Sequence, residues 1–119
     1  MIPNKIKVAG ITYEVMEKKD LAKDHSLLGQ VLYHYGKIQL DPDIAGDRKE
    51  QVLIHEVLHA IFNEAGYTEQ DEDLINRVSI VLHQVLKDND FSWIREQQQE
   101  EGKTIVKYKA KGGDLIELD

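Results

Sequence analysis

Val52-Leu53-Ile54-His55-Glu56-Val57-Leu58-His59-Ala60-Ile61-Phe62 is the stretch on which the reading of this chain turns. Its apolar residues recur with a helical period, and His55 and His59 stand four apart, so one turn of α-helix brings both imidazoles to one face. Glu56 lies beside that face. With 5 His and 11 Glu among 119 residues, a sequence of this composition contains such an HExxH pattern about 0.02 times by chance. Two imidazoles at this spacing can grip one zinc ion, and the neighbouring Glu can take a proton from a water activated by it. Around these groups the helix is apolar. Leu53, Val57 and Ile61 point one way, and Ile54, Leu58, Phe62 and Ala65 continue that surface, with Asn63 just beyond the histidine sector. Burying an ionised Glu there without a partner costs several kcal/mol, a cost that a metal ion and its water remove. The plain alternatives are a core helix whose imidazoles are satisfied by hydrogen bonds, and a metal-free relict of the same site.

Outward from this motif, Asp47 as N-cap, Glu50 three residues later and Gly66 as terminator predict a helix over about 48–65. A second helix is expected over about 70–88, opened by Glu69, Asp71, Glu72 and Asp73 at the positive end of its dipole. Leu74, Val78, Val81 and Val85, with Ile75, Leu82 and Leu86 beside them, read as its core-facing stripe. The chain has no cysteine, so a third metal ligand must be a carboxylate or another His. The four acidic residues at the start of the second helix are the candidates. Glu72 shares a polar stripe with Asn76, Ser79 and His83, but His83 lies roughly 16 Å along the axis from Glu72, so the two cannot share an ion. His83, His25 and His34 are read as ordinary histidines.

Upstream, Lys5–Val8 and Ile11–Val15 around Ala9-Gly10 read as a hairpin, and Gln30–Tyr33 with Lys37–Leu40 around His34-Tyr35-Gly36 as a second. Between them, Lys19–Leu28 reads as irregular. Strands followed by helices predict an α+β fold, an antiparallel sheet of three or four strands packed on two long helices. Residues 1–90 are expected to form the core and residues 91–119 a C-terminal appendage of the same domain. In the appendage Phe91, Trp93 and Ile94 are anchors, 97–101 is a polar run, and 104–108 and 115–118 read as strands. Lys103, Lys107, Lys109 and Lys111 are taken as a solvated strand face.

The net charge of −7 argues against a nucleic-acid binder, which needs clustered Lys and Arg. No run of about 18 apolar residues is present, so no transmembrane helix and no membrane partner are expected. Met1–Gly10 lacks an apolar signal core, and the absence of cysteine suits a reducing compartment, so a cytoplasmic location is expected.

The segment from Val52 to Asn89 resembles the ImmA/IrrE-type zinc metallo-endopeptidases, in particular their short phage- and prophage-encoded relatives. In that family a strand hairpin precedes an HExxH helix, and the next helix opens close to E-x-x-A-N-R-F-A. Here that stretch reads Glu72-Asp73-Leu74-Ile75-Asn76-Arg77-Val78-Ser79. The resemblance implies a zincin-like domain, Zn²⁺ held by His55, His59 and Glu72, and Glu56 as general base. Ile75, Val78 and Ser79 depart from the family pattern. The resemblance spans about a third of the chain strongly, the hairpins loosely, and stops before Phe91. It implies a metallopeptidase acting on a protein, such as a phage-type regulator. The reading from another class is a non-catalytic phage or prophage interaction protein with a structural or relict zinc site. An oxyanion donor is expected among Tyr33, Tyr35, Tyr67 and His34, and 30–33 or 37–40 is expected to supply an edge strand for the substrate.

Overall fold

Alternation along the first forty residues builds a sheet with one polar and one apolar face. The computed structural model describes residues 2–96, together with the backbone of 98–100, 103–105, 108–109 and 115–116. Strand β1 (Lys5–Val8) turns through Ala9 and Gly10, both with positive φ, into β2 (Ile11–Glu17), the geometry that suits a two-residue hairpin. The segment read as irregular contains a short helix, α1 (Leu21–His25), whose Leu21 is fully buried. Then come β3 (Gly29–Leu32), a 3-10 turn over Tyr33–Tyr35, and β4 (Lys37–Leu40). Gly36 closes this second hairpin with φ +59, a conformation that side chains with a Cβ rarely adopt.

The strands lie in the order β1-β2-β4-β3. β1 with β2 and β3 with β4 are antiparallel, as expected, but β2 and β4 run parallel. The sheet is therefore mixed rather than wholly antiparallel. The cause is the α1 crossover, which carries the chain past β2 so that β4, not β3, returns beside it. β3 is left on the outside.

Ile6, Val8, Tyr13, Val15, Val31, Ile38 and Leu40 share the inner face, and α2 (Gly46–Glu64) covers it with Val52, Leu53, Val57 and Ala60. The outer face carries residues such as Lys5, Lys7, Glu14 and the hydrogen-bonded pair Gln30–Gln39, the division typical of a sheet packed on one side. Tyr13 donates to Glu64 Oε1 at 2.6 Å, pinning the end of α2 to the sheet. α2 begins one residue before Asp47 rather than after it. Ala45 accepts the first helical bond from Lys49 N, and Asp47 sits in the first turn with its carboxylate on the Arg48 N–H. Ile61, expected in the core, is 40% exposed.

Helix α3 (Glu72–Asp88) corrects a larger expectation. Only Ile75 and Ser79 are buried along it, while Leu74, Val78 and Val81 are exposed. At 100° per residue that apolar stripe lies almost opposite Glu72, Asn76 and Ser79, and it is this polar side that turns toward α2.

Two compact units divide the chain, Met1–Val85 and Leu86–Asp119. The second contains the short helix α4 (Ser92–Arg95) and the antiparallel strand pairs β5–β6 (Gln98–Glu100 with Lys103–Ile105) and β7–β8 (Tyr108–Lys109 with Leu115–Ile116). The polar run thus contains a strand. Residues 106–107 and 117–118 of the expected strands, and the side chains of the lysine cluster, lie outside the described residues. Among the described residues no helix is long and apolar enough to cross a membrane.

Candidate metal centre

The i, i+4 spacing on α2 brings the rings of His55 and His59 edge to face, centroids 4.9 Å apart and Nε2 atoms 3.2 Å apart. The third group comes from the first residue of α3. Asp71 caps that helix, its Oδ1 accepting from the N–H groups of Asp73 and Leu74. This leaves Glu72 free to reach back. Glu72 Oε1 lies 2.7 Å from His55 Nε2, and Oε2 lies 2.9 Å from His59 Nε2. Among the described residues His55, His59 and Glu72 form the group able to hold a metal ion, with donor atoms all within 4.8 Å of one another. Donors on a tetrahedral zinc at about 2.0–2.1 Å stand roughly 3.3 Å apart. The two imidazole nitrogens match that spacing, and the carboxylate oxygens are a few tenths of an ångström closer, so the trio fits such an ion.

Glu56 is one residue round the helix, only 7% exposed and wedged against β3. Burial pushes its carboxyl up to about 7; the His59 ring opposes that shift and the Glu72 carboxylate adds to it. A carboxyl with that pKa can both accept and give up a proton near neutral pH.

Two polar side chains hold the back of the imidazoles. Gln70 Oε1 is 2.6 Å from His59 Nδ1, and Ser79 Oγ is 3.5 Å from His55 Nδ1. Gln70 also donates to the carbonyls of His59 and Tyr67 and to the Tyr33 hydroxyl. The sequence pattern gave no hint of Gln70, which lies in the link between two helices. Ser79 stood out only as a member of the polar stripe and as a departure from the family pattern.

A cleft of about 350 Å³ runs between α2 and α3, with Leu27–Gly29 as a third wall and Arg48, Gln51 and Asn76 beyond His55 and Glu72. A shallower recess beside it is lined by Gln30, Val31 and Tyr33 together with His55, Glu56 and Glu72. Tyr35 and Tyr67 are 76% and 62% exposed, and neither lines the cleft or the recess. His83 pairs instead with Glu50 of α2 at 3.2 Å, while His25 and His34 stand on α1 and on the 3-10 turn, apart from the cluster. Of the four acidic candidates at the start of α3, the fold brings Glu72 to the histidines, uses Asp71 as a cap, pairs Asp73 with Arg77 and leaves Glu69 exposed in the link before the helix. Compared with known proteins, the chain matches no protein-family model, no curated protein and no solved structure.

Proposed function

We propose that the protein is a zinc-dependent metallopeptidase of the cytoplasm, hydrolysing peptide bonds in a protein substrate. The observation that carries this reading is the convergence of His55, His59 and Glu72 beside a buried Glu56. A bound zinc ion supplies carbonyl polarisation and acidifies water. His55, His59 and Glu72 would hold it. Glu56 takes the proton from the attacking water and returns it to the leaving amine, a task suited to a carboxyl that titrates near neutrality. Tyr33 is the hydroxyl in the recess and supplies the hydrogen bond to the developing oxyanion. The outer strand β3 borders the same recess, which supports an extended peptide as substrate. The resemblance to the ImmA/IrrE-type enzymes adds a regulatory protein, such as a phage-type repressor, as the substrate class.

The test compares wild type with Glu56→Gln. Protein purified without added metal contains near-stoichiometric zinc in both, and His55→Ala or Glu72→Ala loses it. Proteome-wide cleavage by zinc-loaded wild type yields new fragments that Glu56→Gln produces orders of magnitude more slowly. Identical fragment patterns overturn the peptidase reading in favour of a binding protein with a structural metal.

A further inference from the structure

The amide of Gln70 has a defined orientation. Its Nε2 lies 3.2 Å from the His59 carbonyl oxygen and 3.3 Å from that of Tyr67, two groups that only accept hydrogen bonds. The amide nitrogen therefore faces them, and Oε1 faces His59 Nδ1 at 2.6 Å. An amide oxygen cannot donate, so the proton in that short contact sits on Nδ1. With Nδ1 holding its hydrogen there, Nε2 is the ring nitrogen whose lone pair is left for an ion bound between the histidines and Glu72. His55 repeats the arrangement more loosely. Ser79, buried at 3% exposure, donates its hydroxyl proton to the Asn76 carbonyl at 2.9 Å and has only lone pairs left for His55 Nδ1.

From this geometry we propose that Gln70, with Ser79 in the lesser part, is a positioning residue that keeps a hydrogen on Nδ1 of the histidines, so that both Nε2 atoms are the ones offered, together with the Glu72 carboxylate, to a cation. The proposal rests on the reading of His55, His59 and Glu72 as a metal site. It deepens that reading by adding an outer layer of ligand control. The lock is local to the link that precedes α3: the same few residues that turn the chain from α2 also supply Gln70 and deliver Glu72. Gln70 further donates to the Tyr33 hydroxyl at 3.4 Å, so one amide ties the ligand shell to the end of β3.

The experiment uses the whole chain with ¹⁵N-labelled histidine, metal-free, near pH 8.5, about two units above the ordinary imidazole pKa. Long-range ¹H–¹⁵N correlation spectra distinguish a protonated from a bare ring nitrogen. Wild type shows His59 with Nδ1 protonated. In Gln70→Ala the form of His59 with Nδ1 bare and Nε2 protonated appears, and zinc affinity, measured by chelator competition, falls about 10- to 100-fold. Gln70→Glu keeps an acceptor oxygen opposite Nδ1, so it retains the tautomer and recovers affinity to within about threefold of wild type. A merely structural role would not follow this order, because Gln70→Glu also loses the amide donor to the two carbonyls. Wild-type His59 in the Nε2–H form overturns the proposal. So does an unchanged tautomer with unchanged zinc affinity in Gln70→Ala. If Gln70→Ala does not fold, Gln70→Glu decides: a switch of His59 to Nε2–H there overturns the proposal. Absence of zinc binding by wild type overturns the metallopeptidase reading separately, with the tautomer spectra still deciding the role of Gln70.

Discussion

At Glu56 the fold works against the charge of a side chain that its proposed chemistry needs. Burial raises the carboxyl to about 7, above its value in an unfolded chain, so the folded state holds this proton more tightly than the unfolded state does. The resulting stability is complete below the unfolded pKa and is lost as pH rises through the folded one. Metal-free wild type therefore loses stability relative to Glu56→Gln between about pH 5 and pH 8, measured as the difference between their thermal midpoints at each pH. Asp41 has the opposite sign. Its carboxylate accepts from the N–H groups of Ala22 and Asp43, which holds its pKa below the usual carboxylate value. That contribution is present above the unfolded pKa and disappears as pH falls through the lowered one. Asp41→Asn accordingly lowers the thermal midpoint at neutral pH, and the difference from wild type shrinks in acid. His55, Glu56 and His59 were legible because helical spacing converts directly into a shared face. Glu72 needed the family pattern to single it out from its acidic neighbours. Gln70 was invisible, since its role depends on where a link between helices folds back, which no periodicity records.

Among the elements, β3 and α2 approach closely at Gly29. A Cβ added to Gly29 would lie 2.8 Å from Val52 Cγ1 and 3.2 Å from Glu56 Cγ. Val52 is short and branched, so it cannot swing away, and Gly29→Ala forces the strand off the helix. The expected cost is roughly 1–3 kcal/mol in denaturant unfolding, with Glu56 displaced as well. α3 shows the limit of reading an element from its period. The helix and its amphipathic pattern were both evident, but the pattern does not say which side faces inward. Here the first-turn Glu72 must reach the histidines, and Ile75 and Ser79 turn inward with it, so the apolar stripe through Val81 faces away. Ile75→Ala is expected to cost roughly 2–5 kcal/mol, whereas Val81→Lys changes the unfolding midpoint little. The reverse order would mean that the stripe is the packed side.

For the first unit as a whole, the decisive feature is the position of β4 between β2 and β3. The hairpins were legible from alternation and turn residues, but local pattern does not determine which strand of the second hairpin returns beside β2. The α1 crossover settles it and leaves β3 with one side unpaired among the described residues. The register identifies which groups that side presents. Asp41 N donates to the Leu28 carbonyl, and Gln30 and Leu32 pair with Gln39 and Lys37 in the same alternation. In an antiparallel ladder every second residue bonds its partner strand. Leu28, Gln30 and Leu32 therefore face β4, while Gly29 and Val31 turn their N–H and C=O groups to the free edge. A peptide in the recess beside His55 and Glu56 would pair with those two residues. Val31→Pro removes one outward N–H and leaves the β4 ladder intact, a place where a strand tolerates proline. For a peptide that wild type cleaves, KM should rise about fivefold, the worth of one hydrogen bond of roughly 1 kcal/mol. Zinc content and kcat should stay near wild type. Steady-state kinetics alongside metal analysis separates the outcomes: unchanged KM in a folded, zinc-loaded Val31→Pro would mean that the substrate does not extend the sheet at β3.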